Sequence, residues 1–394
     1  MSLKPNGNYR NLKESYLFFR IGKKVEAYRQ AHPGQTIYRL GIGDVSRPLC
    51  PAVISAMEAA VRDQANAATF QGYTPECGLP FFRQAVAGYY ARRQVSLEED
   101  EIFVSSGASD ELGDILDLFD VSSPALITQP AYPAYVDASI MVGRKVRFLS
   151  AGAENDFLPL PDDRTEGDLI YLCSPNNPTG AVYSREGLHR WVEWANVRGA
   201  VILFDAAYEA FVEGDLPHSI FEIPGAKSCA IEISSLSKTA GFTGTRLGYT
   251  VIPKALERDG MNLNAMWVRN RTTRTNGISC ILQRGGAAVF TDEGLKQISE
   301  NIGYYKQNAR TLMAALSDAG IRFWGGRNAP YVWMACPRGM GSWELFDLML
   351  NEIQVVGTPG EGFGESGEGY FRLSSFGDAG ETAVAAERIR KLFT

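Results

Sequence analysis

Cys229-Ala230-Ile231-Glu232-Ile233-Ser234-Ser235-Leu236-Ser237-Lys238, followed by Gly241-Phe242-Thr243-Gly244-Thr245-Arg246-Leu247-Gly248, joins an apolar run to a cluster of hydroxyls, a lysine and a downstream arginine. The run 229–233 has the length and continuity of a buried strand, so Lys238 falls just beyond a strand end. Outward from it, the chain repeats the same grammar. Ile102–Ser105, Ala125–Gln129, Leu169–Cys173 and 201–204 read as strands bounded by polar turns. Helical periods fall between them near 110–119, 132–142 and Arg185–Arg198, the last carrying Leu188, Trp191, Val192 and Ala195 at helical spacing. Alternation of this kind predicts an α/β fold, a mostly parallel sheet between helices.

From about Thr291 the texture changes. A long helical pattern over 293–319 precedes strand-like Tyr331–Ala335 and Tyr370–Ser374 and a final helix over 380–392. This predicts a smaller α+β domain. The first segment, helical over 16–29 with no sheet nucleus before it, is expected to join it. The expected division is 46–290 for the large domain and 1–45 with 291–394 for the small one.

With 394 residues, the chain is long enough for two such domains. Hydrophobic residues make up 45% and charged residues 21%, the balance of a soluble globular enzyme. A net charge of −6 argues against nucleic-acid or anionic-membrane partners. No apolar stretch approaches the ~20 residues of a spanning helix, and the N-terminus lacks a signal-peptide core. A cytoplasmic location is expected. Cys50, Cys77, Cys173, Cys229, Cys280 and Cys336 are scattered without a Cys-x-x-Cys pair and read as reduced thiols. His32, His189 and His218 lie far apart, which gives a metal centre or a Ser-His-Asp triad little support.

A lysine past a strand, flanked by hydroxyls and trailed by an arginine, suits pyridoxal phosphate (PLP). The Lys238 amine would form a Schiff base with its aldehyde, while Ser235, Ser237 and Arg246 would hold its phosphate. The chain supplies the remaining parts. Asp205 ends the strand 201–204 at the carboxyl edge of the sheet, where open α/β sheets bind ligands, and could keep a ring nitrogen protonated. Tyr208, three residues on, could bond the phenolic oxygen. Asn177, in Cys173-Ser174-Pro175-Asn176-Asn177-Pro178-Thr179-Gly180, offers an amide to the same atom from a turn held by prolines and glycine. Ala108 and Ser109, in Ser105-Ser106-Gly107-Ala108-Ser109-Asp110, would present backbone N–H groups to the phosphate. Tyr132, past the strand Ala125–Gln129, could lie on the ring face. Arg372 sits in an apolar strand and suits the α-carboxylate of an amino acid, since a planar guanidinium binds carboxylate bidentately.

In this order the motifs resemble fold-type I PLP enzymes of the aspartate aminotransferase superfamily, over nearly the whole chain. That resemblance implies a large domain with a seven-stranded, mostly parallel sheet between helices, plus the smaller α+β domain. Four further strings, Tyr38-Arg39-Leu40-Gly41-Ile42-Gly43-Asp44, Gly72-Tyr73-Thr74-Pro75-Glu76-Cys77-Gly78, Tyr132-Pro133-Ala134-Tyr135-Val136-Asp137 and Arg271-Thr272-Thr273-Arg274-Thr275-Asn276-Gly277, are similar to the LL-diaminopimelate aminotransferase family. The resemblance implies interconversion of LL-2,6-diaminopimelate plus 2-oxoglutarate with tetrahydrodipicolinate plus glutamate, in lysine biosynthesis. It implies a homodimer in which Tyr73 and Asn276 reach the neighbouring subunit's site. It also implies substrate contacts from Tyr16, Gly43, Glu76, Ser109, Tyr132, Asn177 and Asn276, with Glu76 on the distal ammonium and Arg372 on the proximal carboxylate. The chain departs from that family at Ser109, where lysine is usual, at Cys77 in place of glutamine and at Leu236 in place of an aromatic residue. Competing expectations are an aspartate, alanine or aromatic aminotransferase, a PLP-dependent C–S lyase, and a non-catalytic PLP-binding regulator. The last usually carries a DNA-binding domain, and none is expected here because the enzyme-like pattern begins by about residue 16.

Overall fold

The computed structural model describes residues 3–12, 17–41 and 43–394. Its centre is a seven-stranded sheet of β1 (Ile102–Ser105), β2 (Ala125–Gln129), β3 (Val146–Ser150), β4 (Leu169–Cys173), β5 (Val201–Asp205), β6 (Ala230–Ser235) and β7 (Gly248–Val251), in spatial order β1-β7-β6-β5-β4-β2-β3. All neighbours are parallel except β7, which runs antiparallel to β1 and β6. Strands β2, β4, β5 and β6 are buried along their whole length, which explains their continuous apolar runs. Separate hydrophobic clusters cover the two faces, one around Trp191, Phe204 and Tyr249, the other around Tyr171, Ile231 and Trp267.

The sequence reading placed no strand at β3 or β7. Strand β3 lies at the sheet edge and is only half-buried, so its residues carry no continuous apolar signal. Strand β7 is four residues long and begins at a glycine.

A second sheet is antiparallel, with order β8-β9-β11-β10: β8 (Phe323–Gly325), β9 (Tyr331–Ala335), β10 (Thr358–Pro359) and β11 (Tyr370–Ser374). Beside it Tyr38 and Arg39 pair in parallel with Val355 and Val356. One core gathers Val25, Tyr28 and Leu40 with Leu312, Leu345, Phe371 and Ile389, so the two chain ends pack together. The helix Leu17–Ala31, α1, is held to this layer by Lys24, whose Nζ lies 2.6 Å from the Asp347 carboxylate.

The helix Asp292–Asp318 bridges the two layers. Thr291 caps it by accepting from the Gly294 N–H. Its 27 residues span about 40 Å. Ile298, Ile302 and Tyr305 join the large sheet's core, whereas Leu312, Ala315 and Leu316 join the smaller one.

The short helix Ala108–Asp114, α2, is clamped from behind. Arg271, on the helix Leu263–Arg274, lies 3.2 Å from Glu111 and 2.7 Å from Asp114, and both Arg271 and Glu111 are buried. Burial pushes the Glu111 carboxyl up to about 7, against the opposing pull of Arg271. A carboxyl that holds its proton more tightly when folded favours the fold below its unfolded pKa. It loses that contribution as pH rises through the folded value. Arg271→Met removes the pull and leaves Glu111 buried without its cation. The variant is expected to lose about 3 kcal/mol of stability at pH 8 and clearly less at pH 5.5, where Glu111 is protonated. Denaturant melts at the two pH values measure this, and an equal loss at both would contradict it.

Candidate active site

The carboxyl ends of β4, β5 and β6 open into one cavity of about 610 Å³ between the two layers. Asp205 stands at the end of β5, and Lys238 lies in the five-residue helix Leu236–Ala240 directly after β6. Ser235 caps that helix by accepting from the Ser237 N–H at 3.1 Å. A strand that runs straight into a capped turn thus fixes where the lysine emerges.

Asp205 is buried, and among the described residues it has no cationic partner. Its Oδ2 accepts from the Tyr135 hydroxyl at 2.5 Å and its Oδ1 from the Ala207 N–H at 3.0 Å. Burial raises its pKa, with both hydrogen bonds acting the other way. A buried carboxylate served only by neutral donors is incomplete, and a cation placed beside it would hold it ionised.

Arg372 shows the opposite sign of the same condition. It is 1% exposed. Its Nη1 donates to Asn177 Oδ1 at 2.6 Å, and its Nη2 to the Gly41 carbonyl at 2.9 Å. Its Nε has no partner, and no carboxylate pairs with it among the described residues. Since Asn177 turns its oxygen to Arg372, its NH₂ is left to donate elsewhere.

Arg246 sits at φ +64° with Nη1 3.2 Å from Ser237 Oγ and from the Thr243 carbonyl. A side chain at Gly107 (φ +123°) would come within 2.4 Å of its guanidinium, so only glycine leaves this close approach open. Gly107 precedes Ala108 and Ser109, which line the same cavity. Arg246, Ser235, Ser237 and the start of α2 therefore share one corner.

The cavity also takes in Tyr132, Tyr208 and Gly43. Lys238 Nζ donates to the Gly43 carbonyl. Burial pushes the Lys238 amine down to about 8. Arg372 and Arg246 push the same way, and Asp44 opposes them.

Three sequence-predicted residues lie outside the cavity in the single chain. Tyr73 is 89% exposed, Asn276 is exposed and Glu76 is half-buried. Tyr16 lies outside the described residues. Sequence reasoning gave no role to Tyr135, Asp44 or Tyr331, all of which line the cavity. Tyr135 had a usable signal, because it follows Tyr132 by three residues at a helix start and so shares its face. Tyr331 had none beyond the start of a strand.

The family model for aminotransferases of class I and II matches residues 35–389. The chain belongs to this family. This aminotransferase is 49% identical to the LL-diaminopimelate aminotransferase of Agathobacter rectalis, over 98% of the chain and 99% of that relative. It is 48% identical to the enzyme of the same name from Lawsonia intracellularis, over 98% of each. Among solved structures it resembles L,L-diaminopimelate aminotransferase from Chlamydomonas reinhardtii, with a TM-score of 0.94 and 37% identity over all of both chains. An aspartate aminotransferase of Thermus thermophilus shares the fold at a TM-score of 0.87 and 21% identity.

Like its family, the aminotransferase depends on pyridoxal phosphate. The residues present fit that group: a buried carboxylate with no cation among the described residues, an arginine corner open to a phosphate, and a lysine amine lining the same cavity. The amine also makes a prediction. The free base is the nucleophile, and with a pKa near 8 it forms only a tenth of the amine at pH 7. Brief treatment of the apo-aminotransferase with pyridoxal phosphate and borohydride should label Lys238 about tenfold faster per pH unit below 8 and level off above it. Peptide mapping reads this. A rate still climbing at pH 10 would place the amine at its ordinary value.

Proposed function

We propose that the chain transfers an amino group from LL-2,6-diaminopimelate to 2-oxoglutarate, giving tetrahydrodipicolinate and glutamate. Two half-reactions share one site, in a ping-pong order. The observation that carries the reading is the buried Arg372 guanidinium, held among the described residues by neutral acceptors alone and facing the same cavity as Lys238 and Asp205. The diaminopimelate assignment is supported by relatives of that name at 49% and 48% identity over nearly full length.

Bound pyridoxal phosphate supplies an aldehyde carbon that condenses with amines and a cationic ring that accepts the electron pair left when a Cα proton departs. The chain's residues do the rest. Arg372 exchanges a neutral acceptor for the substrate carboxylate and so fixes the Cα. Lys238 Nζ, as free base, would take the Cα proton and deliver it to the carbon that the cofactor's aldehyde supplies. Asp205 keeps the ring nitrogen protonated. Tyr208 and Asn177 would donate to the phenolic oxygen, Tyr132 would cover the ring, and Ser235, Ser237, Arg246 and the N–H groups of Ala108 and Ser109 would hold the phosphate. Gly43 lines the substrate side.

The active form is a homodimer in this reading. Tyr73 and Asn276 reach the partner's cavity, and Glu76 binds the distal ammonium of diaminopimelate. Tyr73 at 89% exposed and Phe70 at 62% suit a surface that a second copy covers. Tyr16 belongs to the substrate side as well. The large domain spans 46–290, and 1–45 with 291–394 forms the small one. The enzyme acts in the cytoplasm.

A panel of amino donors with 2-oxoglutarate, followed by glutamate formation, tests the assignment. LL-diaminopimelate is expected to give the highest kcat/KM. Absence of turnover with it would end the claim for this substrate, and pyruvate release from cystathionine without an acceptor would indicate a lyase instead.

A further inference from the structure

Three parts of the site converge on a residue that no motif marked. Tyr331 begins β9 and is buried. Its hydroxyl lies 2.9 Å from that of Tyr208. The Arg372 guanidinium stands 4.3 Å from its ring centroid. A Cβ at Gly43 would come within 2.7 Å of the same hydroxyl, and the Gly43 carbonyl accepts from Lys238.

A hydroxyl has one proton to give. If Tyr208 gave its proton to Tyr331, none would remain for the phenolic oxygen of the cofactor. The surroundings favour the other direction. Burial makes both phenols weaker acids, and the charge of Arg372 draws both back; its guanidinium stands 4.3 Å from the Tyr331 ring and is the leading counterweight there, whereas at Tyr208 it is the weakest influence and Tyr331 itself pushes the phenol further up. The more acidic hydroxyl is the better donor. Tyr132 and Cys173 are the other titratable groups facing Tyr331, and neither carries a fixed charge when protonated.

We infer that Tyr331 is a positioning residue: it donates to Tyr208 and thereby commits the single Tyr208 proton to the cavity. The inference rests on the proposed role of Tyr208 as a donor to the phenolic oxygen. Hydrogen bonds in such a chain polarise one another, so losing the first weakens the second.

The test is a pH titration of the holoenzyme's visible absorbance. A donor to the phenolic oxygen favours its anion, so a weaker donor raises the apparent pKa of the chromophore. Tyr331→Phe keeps the ring and removes the donor; it is expected to raise that pKa by roughly half a unit, about threefold, and to weaken cofactor binding in an equilibrium titration. Tyr208→Phe is expected to shift the pKa further. Tyr331→3-fluorotyrosine, a stronger donor of nearly the same shape, should move it down. A Tyr331→Phe curve that overlays the wild type while Tyr208→Phe shifts would overturn the inference and leave the reading of Tyr208 standing. No shift in either variant would overturn both. If Tyr331→Phe fails to fold, an unmoved or raised pKa with 3-fluorotyrosine decides against the inference alone.

Discussion

Lys238→Ala protein is expected to lose transamination by about 10⁴-fold or more, because in the proposed mechanism one amine both captures the cofactor and moves the proton. The substitution leaves the scaffold in place. Lys238 lies in a short helix already capped by Ser235, and among the described residues its amine donates to the Gly43 carbonyl alone. The variant should therefore stay folded while glutamate production from any donor disappears. The same protein should give no reduced, cofactor-bearing peptide at position 238 after borohydride. Turnover at the wild-type rate would remove the lysine from the chemistry.

Asp205→Asn separates charge from shape. The amide keeps the volume and can still accept from Tyr135, but its NH₂ cannot hold a ring nitrogen in the protonated form. A preorganised charge aimed at the reacting system is worth about 10²–10³ in rate. That is the expected fall in kcat, with cofactor still bound and coloured. Unchanged turnover would show that this buried carboxylate serves folding only.

The two predictions draw on residues of different legibility. Lys238 and Asn177 follow, and Asp205 ends, a continuous buried strand, and strand ends are marked in the sequence by an abrupt change from apolar to polar residues. The helix Arg185–Arg198 was equally plain, with Ser184 capping its start and Gly199 at φ +69° ending it. What escaped was set by packing across the chain. The acceptor that Gly41 offers Arg372 is a backbone carbonyl, which leaves no trace in residue type. Tyr135 and Tyr331 read as ordinary core aromatics until the sheets bring their hydroxyls to Asp205 and Tyr208. The antiparallel course of β7 is a matter of register, to which its four residues are silent.

The helix Asp292–Asp318 carries one more implication. It is rooted in both cores, and close-packed interiors move as solid bodies. The outer layer therefore cannot drift freely over the inner one. Any gape has to bend this strut and part the cluster in which Ala151 and Phe157 pack with Trp333 and Phe363, moving Arg372 relative to the lysine. Stiffening the strut would slow admission and release of reactants without touching a single atom that meets them.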